Sequence, residues 1–384
     1  MPNTSSNLLE RLNKIVGLPS VSSANIELDM SNKTVIDFLA NSFELLGFSC
    51  EIVPCAANSS KHNLIATLGS GPGGLVLAGH TDTVPFDEEL WSFDPFQLTE
   101  NDNRIYGLGI TDMKGFFPII MEALKPFLDE QFKEPLIILA TADEETSMEG
   151  ARTIAELGRP KARAAIIGEP TGMRPVKAHK GMMMDSIRLI GKSGHSSDPA
   201  LGINALDAMH QIISELINYR QDLRNKYRSE LFSIPYPTLN LGSIHGGDNP
   251  NRICGHCELK FDVRLTPGMN IDTVREEIRE NIRKVAEPLG IEYEMVQIFN
   301  GIPAFFAEEN SVLLRTAERL TGHDGVSVAF GTEGPFLQRL GMDTIILGPG
   351  NIDQAHQPDE YMSMDMINPS IKILRKFISQ YCLS

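Results

Sequence analysis

Two patterns of apolar positions divide the chain. The first is contiguous: "LVLAGH" (75–80), "LIILATADEE" (136–145), "AAIIGEP" (164–170) and "TIILGPG" (344–350) each carry an unbroken apolar run. Such runs predict strands buried on both faces, as in a parallel sheet covered by helices. Between the first two, "KGFFPIIMEALKPFLD" (114–129) predicts a crossover helix, limited by Pro118 near its start and Pro126 near its end. Near the N-terminus, Leu8, Leu9, Leu12, Ile15 and Val16 recur at helical spacing and do not form the apolar core of a signal peptide.

The second pattern alternates. In "CELKFDVRL" (257–265), Leu259, Phe261, Val263 and Leu265 interleave with Glu258, Lys260, Asp262 and Arg264, which predicts a strand with one buried face. "MMDSIRLIG" (183–191) and "TLNLGSI" (238–244) are weaker versions. Ile203, Leu206, Met209, Ile213 and Leu216 predict one amphipathic helix; Val274, Ile278, Ile282 and Val285 predict another. Strand, helix, strand, strand, helix, strand over 182–299 reads as a smaller α+β domain of the ferredoxin-like kind. The expected fold is α/β: a mostly parallel sheet covered by helices, formed by 1–181 and 300–384, with the smaller domain inserted. Met182, Met183 and Met184 are expected to cover the junction.

Composition narrows the picture. A length of 384 residues exceeds one ordinary core, so two domains are expected. Hydrophobic residues at 42% and charged residues at 22% describe a soluble globular protein. A net charge of -16 argues against a nucleic-acid backbone or an anionic membrane as partner, and no run approaches a membrane span. Five cysteines, an odd number, read as reduced thiols in a cytoplasmic protein.

The strand ends carry the chemistry. "LVLAGHTDTVP" delivers His80 and Asp82, "LIILATADEE" delivers Glu144 and Glu145, and "AAIIGEPTG" delivers Glu169. "YGLGITDMKGF" sets Asp112 in a glycine-punctuated loop, and "NIDQAHQPDEY" places His356 after the last strand. Ligands of open α/β sheets bind at the carboxyl ends of the strands, so these side chains could share one rim. Histidines with carboxylates form an oxygen and nitrogen donor set suited to zinc, with cobalt or manganese as alternatives. Two divalent cations would offset the adjacent Glu144 and Glu145; strand alternation would let one bind metal while the other holds a proton. Each residue alone also admits a plainer role: His80 in a turn, Asp112 as a helix cap, "DEE" as a solvated turn.

"GHTDTVP", "GITDMKG", "ATADEETS", "IIGEPT" and "SGHSSDP" together resemble the two-zinc aminoacylase and deacylase family. The resemblance implies that His80 and Glu169 bind one zinc, that Glu145 and His356 bind the other, and that Asp112 bridges them. It makes Glu144 the general acid and base, Asp82 the carboxylate that orients His80, and His195 the donor to the amide oxygen. It implies a lid and dimerisation role for the insert, a homodimer in which His195 serves the partner's site, and a small N-acyl amino acid as substrate. Asn251 and Arg264 match substrate-contacting positions, and Glu333 in "FGTEGPF" is an acidic candidate for a substrate ammonium. Other deacylases and dipeptidases share this chemistry, and a non-catalytic binding protein could share the scaffold.

Three further motifs carry less. "GSGPGG" (69–74) fits a dinucleotide fingerprint in letters only, because a strand follows it and not a helix. "CGHC" (254–257) lacks the second pair of a closed zinc site, and "GHSS" lacks a nucleophile elbow.

Overall fold

The structure, a computed structural model, describes residues 4–384, with side chains from Asn7 onward. Two compact units emerge: Met1–Lys177 with Ala307–Val326 and Thr332–Ser384, and Ala178–Phe306 with Ser327–Gly331.

The first unit is built on a mixed sheet. Its hydrogen-bonded order includes Ser49–Pro54, His62–Leu68, Leu136–Thr141, Leu75–His80, Ala164–Ile167 and Asp343–Ile346. The last four are mutually parallel, and the first two are antiparallel additions. Every residue of Leu75–His80, Leu136–Thr141 and Ala164–Ile167 is buried, which is why their sequences are apolar without alternation. The shared direction brings the ends at His80, Thr141 and Ile167 to one edge.

The crossover helix is shorter than its sequence suggested. It runs Phe116–Leu124 and passes into a 3-10 turn at Lys125–Phe127. Pro118 lies in the first turn, where its missing N–H costs nothing, whereas Pro126 ends the α-helical ladder. Helix Met364–Ile378 packs against it. In the N-terminal helix Thr4–Val16, Leu8, Leu12, Ile15 and Val16 are buried. "GSGPGG" is a turn between His62–Leu68 and Leu75–His80; Gly74 has φ +87, and its N–H donates to Glu134 Oε2 at 2.6 Å.

The second unit holds an antiparallel sheet in the order Thr238–Gly246, His256–Leu265, Gly181–Ile190, Glu292–Ile302. Helices Ala205–Lys226 and Ile271–Leu289 complete it. Along His256–Leu265 the odd-numbered residues from Cys257 are buried and the intervening ones are not, as alternation requires. In Ala205–Lys226 the buried stripe is Ala205, Ala208, Met209, Ile212, Leu216, Tyr219 and Leu223. Leu206 lies about 100° from that stripe and is exposed, and Ile203 precedes the helix, pairing with Lys192. Ile203 still packs against this unit's core, whereas Leu206 is not the core position that its spacing suggested. Met183 is fully buried in this unit's own core.

Candidate metal centre

His80 is the last residue of its strand, and the ring is held from both sides. Its Nδ1 lies 3.0 Å from the Asp82 main-chain oxygen, and its Nε2 lies 3.0 Å from Asp112 Oδ1. A carbonyl only accepts, so Nδ1 carries a proton and donates it, which leaves Nε2 as the ligand atom. The Asp82 carboxylate is farther from the ring: Oδ1 stands 3.8 Å from Nδ1, while Oδ2 accepts the Glu145 N–H at 3.1 Å. Orientation of His80 is thus supplied by the backbone of Asp82, and its carboxylate steadies the Glu145 turn.

Asp112 lies at the centre. One oxygen faces His80 at 3.0 Å and the other faces His356 Nε2 at 3.5 Å. His356 also lies 3.1 Å from the Glu145 carboxylate. One ligand atom each from His80, Asp112 and Glu145 fall within 4.8 Å of one another. Glu169 follows the Ala164–Ile167 strand; it is buried, and its Oε1 has no hydrogen-bond partner. Asp112 does not cap the crossover helix, because Gly115 occupies that position.

Glu144 and Glu145 do not continue the strand. Pairing ends at Thr141, and residues 144–147 form a turn entered through Asp143 at φ +61. Alternation along a strand therefore cannot be what separates their roles. The turn is fixed by Ser147 and Met148 N–H donating to the Asp143 carbonyl at 3.1 and 2.7 Å. Part of the charge is met by the protein itself. Buried Lys61 stands 3.6 Å from Asp143 and 2.6 Å from Asp29, and the hydroxyls of Ser22 and Ser147 donate to Asp143.

The remaining acids have no such basic partner. Burial raises Glu144 well above the carboxylate range, and the charge of Glu169 adds to this. Burial and then Asp112 do the same to Glu169, and a smaller upward shift falls on Glu145. Burial would depress His80, yet the bond to Asp112 and the charges of Glu169 and Glu144 hold it well above its usual value. Bonds to Asp112 and Glu145 raise His356 to about 10. Asp112 itself is buried, but its two histidines hold it far below its usual value. A centre that raises carboxylates and histidines together lacks positive charge, and divalent cations supply that charge. The donor set, with the unpaired Glu169 oxygen, fits them.

Two buried groups near this centre escaped the sequence reading. Lys114 is fully buried, donates from Nζ to the Leu18 carbonyl at 2.9 Å, and is pushed down by burial to about 8. Glu360 is buried and accepts backbone N–H groups from the Asp112 loop, while burial raises it to about 7. Nothing local distinguishes "QPDEY" from a solvated acidic turn. Only the fold brings the loop of Asp112 back to it.

Glu333 is buried at the start of helix Gly334–Arg339; burial raises it to about 7, and its Oε1 is unpaired. Its charge adds to the upward shifts of Glu144 and Glu169. His195, Asn251 and Arg264 lie in the second unit. His195 is exposed and its Nδ1 meets Ser197 Oγ at 2.7 Å; the Asn251 carbonyl accepts from Ser196 N–H at 3.1 Å. Arg264 lies 3.1 Å from Asp262. Cys254 and Cys257 are buried free thiols. Among the described residues, no helix is long and apolar enough to cross a membrane.

Residues 76–380 match Peptidase family M20/M25/M40. The chain belongs to that family. Its members hydrolyse amide bonds with metal, and this chain carries the metal-type donor cluster. A relative from Photorhabdus laumondii, an acetylornithine deacetylase, is 46% identical over 98% of this chain and 97% of its own. A Staphylococcus aureus tripeptidase shares the fold with a TM-score of 0.75 at 21% identity, covering 98% of both chains. A Bacillus subtilis dinuclear metal-binding peptidase of the M20 family does so with a TM-score of 0.67 at 16% identity, covering 97% of each.

Proposed function

We propose that this protein removes the acetyl group from N2-acetyl-L-ornithine, giving L-ornithine and acetate. The observation that carries the reading is the convergence of His80, Asp112, Glu145 and His356 on one centre beside unpaired Glu169. The substrate is supported by the full-length likeness to acetylornithine deacetylase. "HTDTVPFDEELWSFDPFQLTE", "YPTLNLGSIHGGDNPNRICGHCELKFDVR" and "GPGNIDQAHQPDEY" carry the same likeness in sequence.

His80 and Glu169 would hold one divalent cation, Glu145 and His356 a second, with Asp112 between them; zinc suits the donors best and cobalt is the alternative. When bound, the pair supplies Lewis acidity and brings the pKa of water towards about 7. Glu144 takes the proton from the attacking water and later delivers it to the departing α-nitrogen. His195 donates to the carbonyl oxygen as negative charge develops there. Arg264 clamps the α-carboxylate and Asn251 helps to seat the substrate. Exposure of His195 suits a side chain that serves the partner subunit of a homodimer. The free cysteines suit a cytoplasmic enzyme.

A panel of N-acetyl, N-succinyl and dipeptide substrates tests the reading. Acetylornithine is expected to have the highest kcat/KM, and a preference for the succinyl substrate would overturn the choice. Arg264→Lys is expected to raise KM, since an ammonium cannot make the bidentate contact.

A further inference from the structure

We infer that Glu360 is a positioning residue: a buried clasp that fixes the Asp112 and His356 loops relative to each other. The inference rests on the two-metal reading of the centre, because its consequence is unequal binding of the two cations.

Three backbone N–H groups of one short loop converge on the Glu360 carboxylate. Thr111 and Asp112 donate to Oε1 at 2.7 and 3.0 Å, and Gly109 donates to Oε2 at 2.9 Å. The loop wraps around a single side chain, and that side chain is only 2% exposed. A carboxylate is acceptor-only, so both oxygens can serve donors simultaneously, and bonds to an ionised acceptor are the stronger kind. The loop's shape suits this grip. Gly109 has φ +78, and a Cβ there would lie 2.7 Å from both Lys114 Cε and Thr83 Cγ2.

Glu360 stands four residues after His356, and the same stretch is stitched to the Asp112 loop elsewhere. The Gly107 N–H donates to the Glu360 carbonyl at 3.1 Å, and Thr111 Oγ1 donates to the Tyr361 carbonyl at 2.7 Å. Tyr361–Ser363 pairs antiparallel with Arg104–Tyr106. The segment before His356 is joined to the Glu169 loop, where the Gly172 N–H donates to the Gly350 carbonyl at 2.7 Å. Asp112 owes its place between the histidines to a loop with no regular secondary structure. His356 is half exposed and projects from a residue at φ +60. Without Glu360, the main polar tie between those two loops is gone. His80 belongs to a buried strand and keeps its place without it.

Glu360→Gln replaces one acceptor oxygen with an amide that faces an N–H. Titrating metal-free protein with cobalt, read by absorbance and by calorimetry, is expected to show two binding events in the natural chain. In Glu360→Gln the weaker event should lose affinity tenfold or more, while the tighter one stays within threefold. Excess cobalt should restore most of the lost activity. Asp359→Asn serves as the control, because Asp359 anchors the same stretch to the Ser92 and Phe93 N–H groups without touching Asp112. Both its affinities should stay within threefold of the natural chain. Two unchanged affinities in Glu360→Gln would overturn the clasp, as would an equal loss of both. An absence of metal binding by the natural chain would instead strike the two-metal reading. Hydrogen exchange of the natural metal-free protein tests the clasp even if the variant does not fold. The amides of Gly109, Thr111 and Asp112 should be as protected as those of the paired strand Arg104–Tyr106. Fast exchange at those three amides, with that strand still protected, would refute it.

Discussion

Each unit buries charge, and the two answer it differently. In the second unit, Asp185 is fully buried and Arg275 grips it through Nε and Nη2 at 2.9 and 3.0 Å. The remaining guanidinium donors reach the Phe299 and Asn300 carbonyls at 2.8 and 3.0 Å. In the first unit, Asp82 Oδ1, Glu169 Oε1 and Glu333 Oε1 are buried without a hydrogen-bond partner, and the acids that buried Lys61 meets are Asp143 and Asp29. Unpaired buried carboxylates are costly, so they persist where something outside the chain completes them. The contrast separates a buried ion pair that holds a fold from an acidic cluster with the donors of a metal site.

The largest effect expected lies at the cluster. Glu144→Ala should leave metal content unchanged and lower turnover by about 10² to 10⁴, the range of a lost general base. Elemental analysis beside an acetate-release assay checks both halves; normal turnover would remove Glu144 from its role. Asp185→Ala should act in the opposite way. It strands Arg275 and should cost about 3–5 kcal/mol of stability in denaturant unfolding, with turnover per folded molecule intact. An Asp185→Ala protein of full stability but low activity would erase the distinction between the two regions.

The smallest effect is one of pH on the metal-free protein. Burial raises Glu333 to about 7, and the bonds to Asp112 and Glu145 raise His356 to about 10. Both folded values exceed the unfolded ones, so their stabilisation is complete below the unfolded values and is lost as pH rises through the folded values. The lowered Asp112 works only at acid pH, where its contribution is lost on acidification. The melting temperature should therefore fall by a few degrees between about pH 6 and about pH 9 without metal, and less with it. A melting temperature that rises over that range would contradict the assignment of charge deficit to this centre.

Much of this architecture was legible in sequence because burial on both faces leaves an unambiguous trace. The runs at 75–80, 136–141 and 164–167 read as strands, and a parallel sheet aligns their ends. His80, Glu145 and Glu169 were visible as polar residues immediately beyond apolar runs. Legibility failed where a residue's role depends on a distant backbone. Glu360 serves the amides of a loop some 250 residues earlier in the chain, and Lys61 meets Asp143 across a separation that no local pattern encodes. It failed also at helix flanks. Leu206 satisfies an apolar spacing, but small alanines at 205 and 208 take the packed face. The letters of 142–145 extend the apparent strand, because a left-handed Asp143 leaves no clear mark in them.

The central claim, that cations complete the acidic cluster of the first unit, is tested most directly by anomalous scattering from crystals of metal-loaded protein. Two peaks are predicted: one at His80 Nε2 and Glu169, the other at Glu145 and His356 Nε2, both within bonding reach of Asp112. A clean map with no peak at these side chains, from protein that hydrolyses acetylornithine, would contradict it.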